Sequence, residues 1–416
     1  MSRARRTHLF LALGSSEFGE VTLGIRVAKD LERAGDRAVF VTTESAAPLF
    51  ADRGLEHRVV PCRAGSLTEL RIDGCIRAER PASIVLADYV ITEGALRRLR
   101  VDPRFLTRHW LPIVAIDTWC FRETGRVVDT FRGKRTEVSP WIEELPHRLV
   151  PVPVARPLPA PAGACALLPE PVRLAEAERA EARAELGLGA GDGAVLLTTA
   201  PWQHRAYDDP DGRRLAEAVP RLLGDYLARL GAALRLVHVG PAPLAGLAEA
   251  LGPERYRFLP PLPAPAFRRA LGSADLLLSL NVSATTIATA IVSSIPVVVV
   301  ASSCDGADAG PVRGGRPPSE ALARWIEGAA PLFPFWMWPL GFRRLLDSLL
   351  RANPYVDALA AVELLDEERV IAMLEALLFD RDARSALASR QADYVAAVER
   401  LPRAAEVIER FLEGRP

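Results

Sequence analysis

Ala274-Asp-Leu-Leu-Leu-Ser-Leu-Asn281-Val-Ser283-Ala-Thr285-Thr286-Ile-Ala-Thr289-Ala-Ile-Val-Ser-Ser294-Ile-Pro296-Val-Val-Val-Val300 carries the reading of the fold. An apolar run at 275–280 stops at Asn281, small hydroxyl residues open a segment of helical spacing at 284–294, and a second apolar run follows Pro296. Strand, turn, helix and strand in this order form one unit of a parallel α/β sheet. The helix start would offer unpaired N–H groups and the positive end of a dipole. Ser283, Thr285 and Thr286 add hydroxyl donors without bulk, so the turn could seat a pyrophosphate. An ordinary serine-capped helix fits the same residues.

Outward from this segment the alternation continues in both directions. Upstream in the same half, apolar runs at 194–199, 234–239 and 256–259 predict strands, and 171–186, 212–230, 242–251 and 264–272 have helical spacing. The first half repeats the scheme, with strands at 8–13, 37–42, 57–61, 83–88 and 112–117 and helices at 18–33 and 91–100. Between the halves lies Val150-Pro-Val-Pro-Val-Ala-Arg-Pro-Leu-Pro-Ala-Pro161, whose prolines suit an extended connector. A short strand at 358–363 and helices at 366–378, 382–399 and 402–413 close the chain. The expected organisation is a Rossmann-like domain over 1–160, a second over 161–380, and C-terminal helices over 381–416 that pack on both. The fold class is α/β, two Rossmann-like domains facing across a cleft, and ligands in such sheets bind beyond the carboxyl ends of the strands.

At 416 residues the chain is long enough for two cores. Lys+Arg and Asp+Glu both number 52, so no net field favours nucleic acid or a membrane surface. The five cysteines are scattered without CxxC spacing and read as reduced thiols, and metal-ligand spacing is absent. No apolar run reaches the roughly 18 residues of a membrane-spanning helix. These features predict a soluble, cytoplasmic protein without a bound cofactor or metal.

The 281–296 segment resembles the donor-binding motif of GT-B glycosyltransferases, the class of the UDP-glycosyltransferases and of the enzyme that adds N-acetylglucosamine to lipid I. That pattern is His-x-Gly-x-x-Ser/Thr-x-x-Glu-Ala-x-x-x-Gly-x-Pro. Asn281, Ser283, Thr286, Thr289, Ala290, Ser294 and Pro296 occupy its places here, and Thr286, Ala290 and Pro296 keep the residue type. Where the family has a ribose-binding Glu, Thr289 offers one neutral hydroxyl. The stretch from Tyr256 to Leu271 resembles the family segment that abuts the base, and 362–394 resembles its closing helices.

The resemblance implies transfer of a sugar from a nucleoside diphosphate donor to a small-molecule or lipid-linked hydroxyl acceptor, with inversion and without a metal. Donor contacts would come from Asn281, Ser283, Thr285, Thr286 and Thr289. Thr199 and Arg205, just after the strand at 194–199, are further phosphate candidates, the latter through its planar fork. In the first domain Gly14-Ser-Ser-Glu17-Phe-Gly19-Glu20 replaces a family loop that ends in a basic His. Glu20 stands at the place of that base, and Glu17 lies one turn earlier beside the acceptor. Either acid also suits a first helical turn.

Asp88 and Asp117 end predicted strands, where they could orient an acceptor or the base, or cap a helix. Trp119 would line the acceptor. Trp336 and Trp338, in Phe333-Pro-Phe-Trp-Met-Trp-Pro, would wall a hydrophobic acceptor or fill a satellite core. Two other functions remain open: a GT-B-like binding protein without transferase activity, and a sugar-nucleotide epimerase.

Overall fold

The structure, a computed structural model, describes residues 5–14, 18–61, 65–130, 134–208, 210–304, 317–329 and 333–414. It divides into two compact units. The first comprises the described residues of 1–126, 137–167 and 397–416, and the second those of 127–136 and 168–396. The main division thus falls at 167/168, seven residues beyond the boundary expected at 160/161.

In the first unit, β1 (Thr7–Ala12) leads to α1 (Phe18–Arg33) and β2 (Arg37–Thr43), then α2 (Ala47–Ala51), β3 (His57–Val60) and α3 (Ser66–Glu79). The chain continues through β4 (Ser83–Leu86), α4 (Tyr89–Arg98), β5 (Ile113–Ile116) and α5 (Phe121–Thr124). The chain then makes the two-stranded sheet of β6 (Val127–Asp129) and β7 (Arg135–Glu137), which falls in the second unit except for Glu137, and returns to the first with α6 (Trp141–Glu144), β8 (His147–Val152) and β9 (Ala164–Ala166). The seven-stranded sheet has the order β3-β2-β1-β4-β5-β8-β9 and is parallel throughout. Reversal of strand order beside β1 is the doubly wound pattern. Phe10, Phe40 and Phe50 pack in its core as tilted rings, with centroids 4.9 and 4.8 Å apart.

The stretch expected as a connector begins as β8, a buried strand. Val150 donates to the Gly163 carbonyl, on the β9 side. Because N–H groups alternate sides along a strand, Pro151 points its missing donor toward β5. That neighbour pairs only with residues 147–149, so no ladder bond is lost and the proline is tolerated.

The second unit runs α7 (Glu176–Glu185), β10 (Gly193–Thr198), α8 (Pro201–His204), α9 (Pro210–Arg229), β11 (Leu234–Val239), α10 (Ala245–Leu251) and β12 (Tyr256–Leu259). It continues with α11 (Ala264–Ser273), β13 (Leu276–Ser279), α12 (Thr285–Val292), β14 (Val297–Ala301) and α13 (Glu320–Ala329). The short hairpin β15 (Phe335–Met337) and β16 (Gly341–Phe342) then leads to α14 (Arg343–Leu350), α15 (Pro354–Asp357), β17 (Ala360–Glu363) and α16 (Glu367–Phe379). The six-stranded sheet is again parallel, in the order β12-β11-β10-β13-β14-β17.

At the end of the chain, α17 (Arg381–Glu399) belongs mostly to the second unit and α18 (Ala404–Leu412) to the first. Ala404, Val407 and Ile408 are buried in the first unit's core. Among the described residues no helix is long and apolar enough to cross a membrane.

Candidate functional site

Three loops meet at the carboxyl ends of the second unit's central strands. In the turn after β13, the Asn281 side-chain oxygen accepts from both the backbone N–H and the hydroxyl of Ser283, each at 2.9 Å. These bonds set the turn before α12. The helix itself starts on Ala284, which has no side-chain oxygen to cap it. From β10, the Thr198 hydroxyl lies 3.3 Å from that of Thr286, which brings the two loops together at the first turn of α12.

The third loop is the aromatic run. Val282 donates to the Trp336 carbonyl at 3.0 Å, Trp338 donates to Leu280 at 2.9 Å, and Ser283 Oγ reaches Met337 Sδ at 3.5 Å. Gln203 of α8 donates to the Trp338 carbonyl at 3.1 Å and so ties the β10 loop to the same strand. Trp338 is fully buried, and its indole N–H has no hydrogen-bond partner among the described residues. Trp336 is 9% exposed, donates to Asp347 at 2.8 Å and stacks under the Arg343 guanidinium at 4.1 Å. The expectation that these two rings wall an acceptor is therefore corrected. They back the 280–283 turn from inside the core, because the prolines that prevent a helix leave an extended segment able to pair with that turn.

The other expected donor residues differ in what they do. Thr289 donates its hydroxyl to the Thr285 carbonyl at 3.3 Å, one helical turn back, so it is spent on its own helix. Thr199 does not present a simple free hydroxyl: its Oγ1 lies 2.8 Å from His238 Nε2 and 3.0 Å from His204 Nε2. Arg205 is exposed at the end of α8. Thr285 is half-buried in the first turn of α12.

In the first unit the structure brings Asp88 and Asp117 to the ends of the adjacent strands β4 and β5. Asp88 caps α4 by accepting from Ile91 N–H at 3.1 Å, and also accepts the Thr118 hydroxyl at 2.7 Å. Asp117 accepts from Phe121 N–H through both oxygens, at 3.1 and 3.2 Å. Burial pushes its carboxyl up to about 6; the Phe121 N–H and the Arg148 charge oppose this, and the Asp88 charge adds to it. Trp119 is half-buried, and its carbonyl accepts from Thr124. Glu20 lies in the first turn of α1, with its side chain outside the described residues, and Glu17 lies outside them altogether. Among the described residues no cluster of His, Cys, Asp and Glu is placed to hold a metal ion.

His238, Tyr256 and Gln203 were not among the residues expected at this site. A histidine inside Leu-Arg-Leu-Val-His-Val is the signal that was available, since a buried polar group in an apolar strand needs a partner.

The two parallel sheets and the ligand-side loops define a class, the two-Rossmann-domain fold shared with GT-B glycosyltransferases. The Anabaena protein Alr3699/HepE, solved with UDP and glucose, is similar at a TM-score of 0.56, with 14% identity over 99% of each chain. The spinosyn rhamnosyltransferase SpnG gives 0.55 and 13% over 99% of this chain and 100% of its own. A Listeria monocytogenes protein assigned as a UDP-N-acetylglucosamine 2-epimerase gives 0.52 and 10% over 99% and 95%. At such identity the likeness establishes the fold and leaves chemistry to the site. By sequence the chain belongs to the DUF6365 family, a family of unknown function, whose model matches residues 27–414. No curated protein matches it.

Proposed function

We propose that the second unit binds a nucleoside diphosphate sugar at the ends of β10 and β13, and that the protein transfers the sugar to a hydroxyl acceptor. The observation that carries this reading is the meeting of Thr198 and Thr286 at the start of α12, whose cap residue Ala284 has no side-chain oxygen, with Asn281 and Ser283 setting the turn before it. Hydroxyl donors around a helix start suit the two charges of a diphosphate. SpnG, a rhamnosyltransferase, and HepE, solved with UDP, share the fold and support the choice of ligand.

In this reading the acceptor oxygen attacks the anomeric carbon while its bond to the diphosphate breaks, with inversion. The acceptor proton passes to a carboxylate of the first unit, Glu20 by its place in α1. The start of α12 stabilises the departing diphosphate electrostatically, and no step is routed through a metal.

Calorimetry against UDP, dTDP and GDP tests the donor half. Micromolar binding of one nucleotide, weakened about tenfold or more in Thr286→Ala, is the expected result. Absence of binding to all three would remove the reading.

A second reading, binding without transfer, is favoured by Thr289, which turns its hydroxyl into its own helix where the family pattern has a ribose-binding Glu. Nucleotide binding without turnover of any sugar conjugate would select it. Conversion of the sugar nucleotide to its epimer in the absence of an acceptor would select the epimerase.

A further inference from the structure

A chain of four polar side chains crosses the ends of β12, β11 and β10. Tyr256 Oη lies 2.8 Å from His238 Nδ1, His238 Nε2 lies 2.8 Å from Thr199 Oγ1, and Thr199 Oγ1 lies 3.0 Å from His204 Nε2. Tyr256 and His238 are buried, and Thr199 and His204 are half-buried.

The proton order along this chain follows from one further bond. Tyr256 Oη accepts from Leu244 N–H at 3.0 Å, so its own proton needs an acceptor, and His238 Nδ1 is the acceptor within reach. His238 then carries its proton on Nε2 and donates to Thr199. The hydroxyl proton of Thr199 then needs an acceptor of its own, and among the described residues His204 Nε2 is the one within reach, which places the proton of His204 on Nδ1. The reverse order would leave the buried phenol proton without an acceptor, a costly arrangement.

Two observations support this assignment. Burial pushes His238 down to about 3, with the neighbouring His204 acting in the same direction, so its neutral form is the one the fold holds. Gly240 leaves the space the chain needs: a Cβ there would collide with Thr199 Oγ1 and sit 2.8 Å from His238 Nε2.

Thr199 is the neighbour of Thr198, whose hydroxyl meets Thr286 at the start of α12. We propose that Tyr256, His238 and Thr199 are positioning residues that hold His204 as a neutral imidazole protonated on Nδ1, and that His204 contacts the nucleotide seated at α12. The ligand part rests on the nucleoside diphosphate reading above; the proton order does not.

The chain has six histidines, few enough for each ring to be assigned in 15N-histidine-labelled protein by single His→Gln variants. Long-range 1H–15N spectra then report which nitrogen carries each proton. The expected result is Nε2–H for His238 and Nδ1–H for His204, with the His204 pattern lost in Tyr256→Phe and kept in His238→Gln, whose amide still donates to Thr199. UDP affinity is expected to fall about 3- to 10-fold in both His204→Ala and Tyr256→Phe, the size of one neutral hydrogen bond. Near-native circular dichroism and melting of Tyr256→Phe exclude misfolding as the cause.

His204 protonated on Nε2 in the wild type overturns the positioning chain. Equal UDP affinity of wild type and His204→Ala overturns the contact. If the wild type binds no nucleoside diphosphate, the reading of the site fails and the contact with it, while the tautomers still decide the chain.

Discussion

Two helices of the second unit, α12 and α14, have the same length of eight residues, and neither supplies its own side-chain cap. Their starts are nevertheless treated in opposite ways. At α14 the Asp129 carboxylate accepts from Arg343, Arg344 and Leu345 N–H at 2.9, 3.0 and 3.2 Å. The lead-in is shaped for it: Gly341 has φ +91°, and a Cβ at that position would press on the Asp129 carbonyl at 3.1 Å. At α12 the nearby polar side chains bond elsewhere, Ser283 to Asn281 and Thr286 to Thr198. A helix start attracts negative charge in both cases. One has been given a resident carboxylate and serves structure, whereas among the described residues no carboxylate bonds to the start of the other, the arrangement expected where the anion is a ligand.

The largest effect is expected at the filled helix start. Asp129→Ala removes one buried acceptor from three backbone donors, and a loss of about 2–4 kcal/mol is expected. Urea denaturation measures it, and a loss under 1 kcal/mol would show that Asp129 is not what holds α14.

The next test varies how many donors a carboxylate has. Asp117 accepts from the Phe121 N–H through both oxygens and, with burial as the main cause, sits at about 6, above the ordinary carboxylate value. The fold therefore favours its neutral form. That contribution is complete below about pH 4 and is lost as pH rises through about 6, a fall of about 2–3 kcal/mol by pH 7. Asp117→Asn is expected to flatten this part of the pH profile of stability; identical profiles for variant and wild type would refute the assignment.

Filling the open end gives a smaller effect on stability and a clear one on binding. Ala284→Asp places a capping carboxylate at α12 and is expected to raise stability by about 1 kcal/mol, read as a higher melting temperature. The same charge should lower UDP affinity more than about tenfold. Unchanged affinity would mean that no anion sits at α12.

The smallest effect is expected at Thr289, whose hydroxyl serves its own helix. Thr289→Ala should leave stability within about 0.5 kcal/mol and nucleotide affinity within about twofold. A large loss of affinity, measured by the same calorimetry, would place Thr289 in the ligand contact after all.

Legibility followed the range of the interaction. The strand–turn–helix at 276–292 was readable because apolar periodicity is local, and so were β1, β2, β11 and the helices α1 and α17. The helix α3 at 66–79 was missed: its apolar residues are diluted by charged ones, and Leu70 is 57% exposed. At the candidate site, Asn281, Ser283 and Thr286 could be found from spacing. His238 and Tyr256 could not, since they lie 18 residues apart on different strands and meet only through the register of β11 with β12.

By itself the sequence determined two α/β halves and a hydroxyl-rich helix start, because alternation of apolar runs fixes which segments can share a parallel sheet. Tertiary structure alone decided where polar groups find partners. It placed Asp129, from the first half of the chain, on a helix of the second, took Trp338 into the core behind the 280–283 turn, and linked Thr199 to two histidines. The physical reason is that a buried donor or acceptor must be matched by whatever group the fold brings within 3 Å or so, and chain separation says nothing about that distance.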